Sequence, residues 1–185
     1  MNKTIITLLA AFACATASAG VINFDDLPGD PTQALDSGYA GFNWTNMGAI
    51  RSDAAPGTGF ETGVVSPANA AYNWYGLTAT ISTADGKAFT FAGANFTSAY
   101  VDQEISFEAY RKGELLLSSG AYTLDTLAPQ WIGLNWTGID TLVIYNSSGT
   151  QWAMDDFTVP EPATLALFGS SLAGLFASRR RRRRG

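Results

Sequence analysis

Two pairs of adjacent aspartates are the residues best suited to chemistry in this chain. Asp25 and Asp26 lie in the segment INFDDLPGD near the start, and Asp155 and Asp156 lie in WAMDDFTV near the end. Carboxylate oxygens are the ligands that Ca²⁺ prefers in extracellular proteins. The two pairs therefore form a candidate metal site if the ends of the domain meet. The alternative is that these carboxylates accept backbone N–H bonds at strand ends.

The register of the closing segment singles out Asp155. In an extended strand its side chain lies on the same face as Ala153, Phe157 and Val159. Burying a bare carboxylate costs free energy, so an aspartate on a core-facing register needs a partner. A metal ion at the edge of a sandwich is one solution, and a β-bulge that turns the carboxylate outward is another.

A second group of candidate site residues is aromatic. The rings in or beside predicted loops are Trp44, Tyr72, Trp74, Tyr75, Trp131 and Trp136. An exposed ring offers a sugar a flat apolar face at little cost in conformational entropy, and the neighbouring asparagines that could bond its hydroxyls are Asn43, Asn73 and Asn135. We expect the segment 72–75 to carry such a glycan platform. The alternative is that these rings fill the core, because tryptophan is often mostly buried.

The composition excludes several functional classes. The chain contains no histidine, which removes Ser-His-Asp and Cys-His catalysis and histidine-ligated zinc. A glycan hydrolase or lyase that uses paired carboxylates stays open, but no spacing among the acids marks a catalytic pair. We therefore expect a protein that is not an enzyme. Residues 20–159 hold 15 of the 16 acidic residues and four of the 11 basic ones, a balance that repels nucleic acid.

Period-two patterns and turn dipeptides predict an all-β fold, an antiparallel β-sandwich resembling a jelly roll. The segments 79–83 and 87–91 flank Asp85-Gly86, which is typical of a tight hairpin. The segments 141–145 and 151–159 flank 146–150, and they predict a second hairpin.

Between these two hairpins the segment 104–110 alternates cleanly, and we expect Ile105, Phe107 and Ala109 to face the core. A turn at Lys112-Gly113 then leads into a strand at 114–118. The stretch 27–71 is rich in Gly, Pro and Asp, and it predicts long loops around one strand at 41–45.

The N-terminus predicts a secretory signal peptide over residues 1–19. Lys3 provides the positive charge, residues 5–13 are apolar, and Ala17-Ser18-Ala19 is a small-x-small cleavage pattern before Gly20. Cys14, the one cysteine of the chain, lies upstream of that cut. The alternative is that Cys14 is lipidated.

The C-terminus combines an apolar segment with a block of arginines. Residues 163–178 are apolar or small, and a helix of that length covers roughly 24 Å, a short membrane span. The six arginines at 179–184 favour a cytoplasmic location for the tail. The segment predicts a protein held in the inner membrane with its tail inward.

This C-terminal arrangement resembles the PEP-CTERM sorting signal. Pro160, Glu161 and Pro162 follow Val159, and the apolar helix and the arginine cluster follow them in the family's order. The resemblance implies that a membrane enzyme, exosortase, recognises the Pro-Glu-Pro region and releases the protein beyond the inner membrane of a two-membrane bacterium. It also implies that the protein ends at the cell surface or in an exopolysaccharide matrix. The tail, the acidity and the aromatic loops together predict that it binds glycan there or acts as a structural component. The chain then divides into 1–19, a β-sandwich at 20–158, and a sorting signal at 159–185.

The central domain resembles calcium-containing extracellular sandwiches, such as MAM-like domains and carbohydrate-binding modules. The resemblance rests on the acidic residues of the first and last strands. It implies that Asp25 or Asp26 joins Asp155 on one structural Ca²⁺.

Overall fold

The structure, a computed structural model, describes residues 19–28 and 30–160. The rest of the predicted signal peptide lies outside these residues, as do Glu161, Pro162, the apolar segment 163–178 and the arginine block. Within the described residues no helix is long and apolar enough to cross a membrane.

The described residues form thirteen strands and one short helix. They are β1 (Ala19–Ile22), β2 (Thr32–Ala34), β3 (Phe42–Thr45), β4 (Met47–Arg51), α1 (Gly59–Thr62), β5 (Asn69–Asn73), β6 (Ala79–Thr83), β7 (Phe89–Ser98), β8 (Gln103–Arg111), β9 (Glu114–Ser118), β10 (Tyr122–Leu124), β11 (Gln130–Ile139), β12 (Thr141–Asn146) and β13 (Trp152–Pro160). Short 3₁₀ turns lie at 39–41, 52–54 and 74–76.

The strands form two antiparallel sheets that pack as a sandwich. Sheet one has seven strands in the order β11-β7-β13-β5-β4-β2, with β1 also paired to β13. Sheet two has six strands in the order β10-β8-β12-β6-β3, with β9 also paired to β8. The prediction of an all-β antiparallel sandwich is confirmed.

The main core lies between the sheets and is rich in phenylalanine. Phe91 of β7 stacks on Phe157 of β13 at 5.0 Å between ring centroids. Phe96 of β7 meets Phe107 of β8 edge to face at 5.4 Å. All four side chains are fully buried, and each contributes about 1.5–3 kcal/mol through removal of apolar surface from water. The predicted core face of β8, which includes Phe107, is confirmed.

The two hairpins predicted at 79–91 and 141–159 are wrong. The turn at Asp85-Gly86 joins β6 of sheet two to β7 of sheet one, and residues 147–151 join β12 of sheet two to β13 of sheet one. Local turn chemistry is present at the first site, since Asp85 accepts the Lys87 N–H at 3.0 Å and Gly86 has φ +70°. A turn dipeptide sets where the chain reverses, but the burial of both strands decides which sheet each one joins. The β8–β9 hairpin at Lys112-Gly113 is confirmed.

The prediction of long loops over 27–71 is also wrong, although the strand expected at 41–45 is present as β3. This stretch contains β2, β4 and β5 as well, and β5 pairs directly with β13. Every residue of β5 is buried. Strands buried on both faces lose the apolar–polar alternation, so the sequence NAAYN gives no period-two signal.

The outer face of sheet one is covered by a second, smaller core. Phe60 of α1 packs edge to face on Tyr72 of β5 at 5.5 Å, together with buried Ile50, Ala70 and Ala153. Sheet one is therefore buried on both faces here. On sheet two, alternate side chains of β8 and β12 point outward and remain at least partly exposed.

Candidate functional site

A β-bulge in β13 decides where the closing aspartates point. The pairing register with β7 shifts after Asp155, and Asp156 has φ +54°. Met154 and Phe157 both belong to the main core, whereas Ala153 belongs to the core on the outer side of sheet one. The prediction that Asp155 shares a face with Phe157 is therefore wrong. The bulge turns the Asp155 carboxylate toward the outer side of sheet one, which is the second of the two solutions expected from the sequence.

The Asp155 carboxylate is fully buried and hydrogen-bonded. Its Oδ2 accepts the backbone N–H of Val65 at 2.7 Å and that of Ser66 at 2.9 Å. Its Oδ1 accepts the N–H of Asp156 at 2.7 Å. Burial raises the pKa of Asp155 to about 6, although the three N–H bonds oppose the shift. The carboxylate thus fastens the segment between α1 and β5 onto β13.

From the two aspartate pairs, Asp25 of the opening segment and Asp156 of the closing strand are neighbours. The Asp25 carboxylate accepts the N–H of Asn69 at 3.0 Å. Asp156 receives a weak hydrogen bond from Asn95 at 3.5 Å. Burial and then the negative charge of Asp25 raise the pKa of Asp156. Asp25 and Asp156 are therefore electrostatic neighbours where the two ends of the domain meet.

Asp26 has a different partner. Its Oδ1 accepts the hydroxyl of Tyr39 at 2.6 Å, and burial together with this bond raises the pKa of Tyr39. Across residues 19–28 and 30–160, no group of three or more His, Cys, Asp or Glu side chains is placed to hold a metal ion. The calcium site remains a prediction, for which Asp25 and Asp156 are the neighbouring carboxylates.

Two of the candidate rings are core residues. Trp44 lies in β3, is 5% exposed, and donates its indole N–H to the carbonyl of Tyr39 at 2.9 Å. Tyr72 is 5% exposed and packs under Phe60. The expectation of exposed rings at these two positions is corrected, because a sandwich of this size needs large side chains to fill its interior.

Trp74 and Tyr75 extend outward from the smaller core on the outer face of sheet one. Trp74 stacks on Tyr72 at 5.5 Å and 22°, and Tyr75 meets Trp74 edge to face at 5.9 Å. The Tyr75 side chain is 78% exposed. We call Tyr72, Trp74 and Tyr75 the aromatic platform. Gly48 makes room for it, since a Cβ there lies 2.3 Å from the Trp74 ring.

The asparagine inside this segment holds the platform in place. Asn73 is fully buried; its amide donates to the carbonyl of Leu77 at 3.1 Å, and its Oδ1 accepts the N–H of Trp152 at 2.7 Å. The remaining candidate rings lie on β11, where Trp131 is half exposed and Trp136 is partly buried. Only part of the predicted aromatic set therefore comes together.

Sequence reasoning missed a polar cluster on the outer face of sheet two. Glu108 Oε2 accepts the hydroxyls of Tyr110 at 2.5 Å and Tyr145 at 2.8 Å. The alternation of 104–110 already places Glu108 and Tyr110 on one outward face. Tyr145 comes from β12, and its place beside them depends on a cross-strand register that the sequence does not state.

The sorting segment begins inside the last strand. β13 ends at Pro160, which pairs with Ala19 at the start of β1. Residues 158–183 match the family model of the PEP-CTERM protein-sorting motif, and no curated protein matches the chain. The chain therefore carries a PEP-CTERM protein-sorting motif, which indicates an exported protein that exosortase processes during its transient stay at the membrane, on the way to the cell surface.

Proposed function

We propose that the domain 19–160 is a non-enzymatic glycan-binding module that acts at the cell surface or in the exopolysaccharide matrix. The observation that carries the proposal is the Tyr75 ring, which is 78% exposed and backed by Trp74 and Tyr72. The hydrophobic effect opposes leaving such a ring in water. A ligand that covers it regains that free energy.

The platform is pre-organised for binding. Trp74 stacks on a buried tyrosine, and the buried Asn73 bonds Leu77 across the turn and Trp152 of β13. A rigid ring loses little conformational entropy when a ligand arrives, which favours affinity. The flat apolar faces of sugar rings fit a surface of this kind.

The charge of the domain supports a neutral ligand, and the contacts of Asp155 support binding over hydrolysis. The excess of acidic residues in 20–159 repels anionic chains. A carboxylate-dependent glycan hydrolase or lyase needs acids that face an open cleft. The acid with the strongly raised pKa, Asp155, is buried and already accepts three backbone N–H bonds.

The test is affinity electrophoresis of the full chain, purified in mild detergent, through gels that contain hydroxyethyl cellulose, dextran or galactomannan. We expect retardation by at least one of these neutral polysaccharides, and Tyr75→Ala should weaken it about tenfold, which corresponds to roughly 1.4 kcal/mol. Leu127→Ala is the matched control, because it removes an apolar side chain that is as exposed as Tyr75, at 78%, and carries no aromatic ring. A wild-type chain that no neutral polysaccharide retards, or a Tyr75→Ala chain that binds normally, overturns the proposal.

A further inference from the structure

The aromatic platform continues through ring contacts to a second exposed tyrosine. Tyr72 packs edge to face on Phe60 of α1 at 5.5 Å between ring centroids, and Phe60 meets Tyr100 edge to face at 5.6 Å. Tyr100 follows β7 and is 53% exposed. Burial, and then the nearby phenol groups of Tyr75 and Tyr100, raise the pKa of Tyr72. Five rings in contact therefore lead from Tyr75 to Tyr100, and the two end rings are the exposed ones.

Both exposed rings lie at the same end of the sandwich. β5 and β7 flank β13 in sheet one and pair antiparallel with it, so β5 and β7 run in the same direction. Tyr72 of β5 and Thr97 of β7 are the partners of Ala153 on its two sides. Tyr75 and Tyr100 follow shortly after these residues, beyond the ends of the two strands. Neighbouring strands lie about 4.8 Å apart, so the two strand ends are separated by roughly 10 Å.

The loop 147–151, which leads into β13, is fastened to the chain beside each ring. A Cβ at Gly76 lies 2.0 Å from the Gly149 carbonyl oxygen, so the loop packs directly against the platform turn. On the other side, the N–H of Ala99 donates to the carbonyl of Gln151 at 3.0 Å. Gly76 and Ala99 are the chain neighbours of the two exposed tyrosines. The loop therefore lies between the two rings and holds the segments that carry them at a fixed separation.

The surface between the rings is polar and contains no cation. Ser147 and Ser148 of the loop are exposed, and their hydroxyls keep hydrogen-bonding capacity for the hydroxyls of a sugar. The segments 74–77, 99–104 and 146–151 contain two carboxylates and neither lysine nor arginine. A chain of uronic sugars meets repulsion here without a compensating cation. The ligand that fits this end of the sandwich is therefore a neutral chain.

We propose that Tyr75 and Tyr100 are the two end subsites of one binding surface, which takes an extended stretch of neutral polysaccharide rather than a single sugar. The inference rests on the proposed function and adds the ligand class and a second binding residue. A single sugar ring covers one tyrosine, whereas a short oligosaccharide spans strand ends that lie roughly 10 Å apart. Once one ring is covered, the second contact forms within the complex at a high effective concentration. Affinity therefore rises with ligand length until both rings are covered.

The closing experiment compares ligands that share a sugar and a linkage and differ in length. The full chain in mild detergent is titrated calorimetrically with cellobiose and cellohexaose, isomaltose and isomaltohexaose, and mannobiose and mannohexaose. In the series whose polymer retards the chain, we expect wild type to bind the hexasaccharide at least about tenfold more tightly than the disaccharide. Tyr100→Ala should remove this advantage and leave disaccharide binding nearly unchanged. Tyr75→Ala should weaken hexasaccharide binding about tenfold as well.

Two further variants separate the loss of a ring from the loss of packing. Tyr100→Leu keeps an apolar contact with Phe60 and removes the flat ring, so it should lose the same advantage while its melting temperature stays near that of wild type. Val101→Ala is the matched control, because Val101 is 55% exposed beside Tyr100 and carries no ring. We expect this control to bind both ligands as wild type does.

The outcomes distinguish this inference from the proposed function. A Tyr100→Leu chain that keeps the full hexasaccharide advantage overturns the second subsite, and so does a wild-type chain that binds both lengths equally. In either case, loss of polysaccharide retardation in Tyr75→Ala still supports the glycan module. A wild-type chain that no neutral polysaccharide retards overturns both proposals.

Discussion

Ala19, the first residue of β1, pairs with Pro160, the last residue of β13. Gly20 lies opposite Val159 in the same ladder, and a Cβ at Gly20 lies 3.3 Å from the Val159 carbonyl oxygen. The predicted signal-peptide cut before Gly20 and the start of the sorting motif at residue 158 thus fall at one point of the domain. β1, which contains the predicted cut, covers one side of the strand that leads into the sorting motif.

The first prediction concerns this pairing. Deleting residues 20–22 removes the partner of the last residues of β13, and unpaired backbone opens to proteases more readily than paired backbone. We expect limited proteolysis of the full chain to cleave near residues 157–160 faster in the deletion variant, as followed by mass spectrometry. Val21→Thr is the control, since Val21 is half exposed and threonine is common in strands. Equal cleavage rates in the deletion variant and wild type contradict the prediction.

The second prediction concerns the buried carboxylate. Asp155→Asn replaces one accepting oxygen by a donor that faces the N–H groups of Val65, Ser66 or Asp156. Leaving a buried backbone N–H unsatisfied costs about 1–3 kcal/mol. We expect urea unfolding at pH 5 to show a loss of this size in the free energy of unfolding. Asp102→Asn, at an exposed position, should leave it unchanged, and an Asp155→Asn chain as stable as wild type refutes the proposed fastening role.

The third prediction follows from the pKa of Asp155, which burial raises to about 6 from an ordinary value of about 3.9. Between these two values the folded state holds a proton that the unfolded state has lost, so this group's contribution to stability falls as the pH rises. The penalty of Asp155→Asn should therefore shrink by on the order of 2 kcal/mol between pH 4 and pH 7. Urea midpoints of both chains across that range give the measurement. If the stability lost in Asp155→Asn grows as the pH rises, the prediction is contradicted.

The fourth prediction tests how the platform is seated. A Cβ at Gly48 lies 2.3 Å from the Trp74 ring and 2.7 Å from the Gln33 carbonyl oxygen, so Gly48→Ala must displace the ring or the backbone. We expect a loss of about 1–3 kcal/mol in the free energy of unfolding and a changed tryptophan fluorescence spectrum. Gly120→Ala is the matched control because no atom lies within 4 Å of its Cβ position. Identical spectra and stabilities for both variants are inconsistent with this packing.

The fifth prediction is the calcium site. A ligand that binds only the folded state stabilises it by about 2.7 kcal/mol at a hundredfold excess over its dissociation constant. We expect the melting temperature of the full chain to rise in calcium relative to a chelator, and Asp25→Asn to remove that rise because Asp25 and Asp156 are neighbouring charges. The matched control is Asp102→Asn. No shift at millimolar calcium rejects the site.

The sequence by itself determined where the protein goes and what kind of fold it has. The sorting motif is read as a linear segment, so its residues carry the information without a folded domain around them. Strand alternation is equally local: the pattern of β8 identified Phe107 as a core residue and Glu108 as an outward one before any partner strand was known.

Only the tertiary structure decided which strand pairs with which, because alternation selects a face and leaves the neighbour open. It sent β6 and β7 to different sheets, although a hairpin dipeptide lies between them. One extra residue in β13 reversed the face of Asp155 relative to Phe157, since the side-chain period of a strand is two. The register of β12 on β8 brought Tyr145 to Glu108. Each of these arrangements depends on burying apolar side chains from segments that are distant in the sequence.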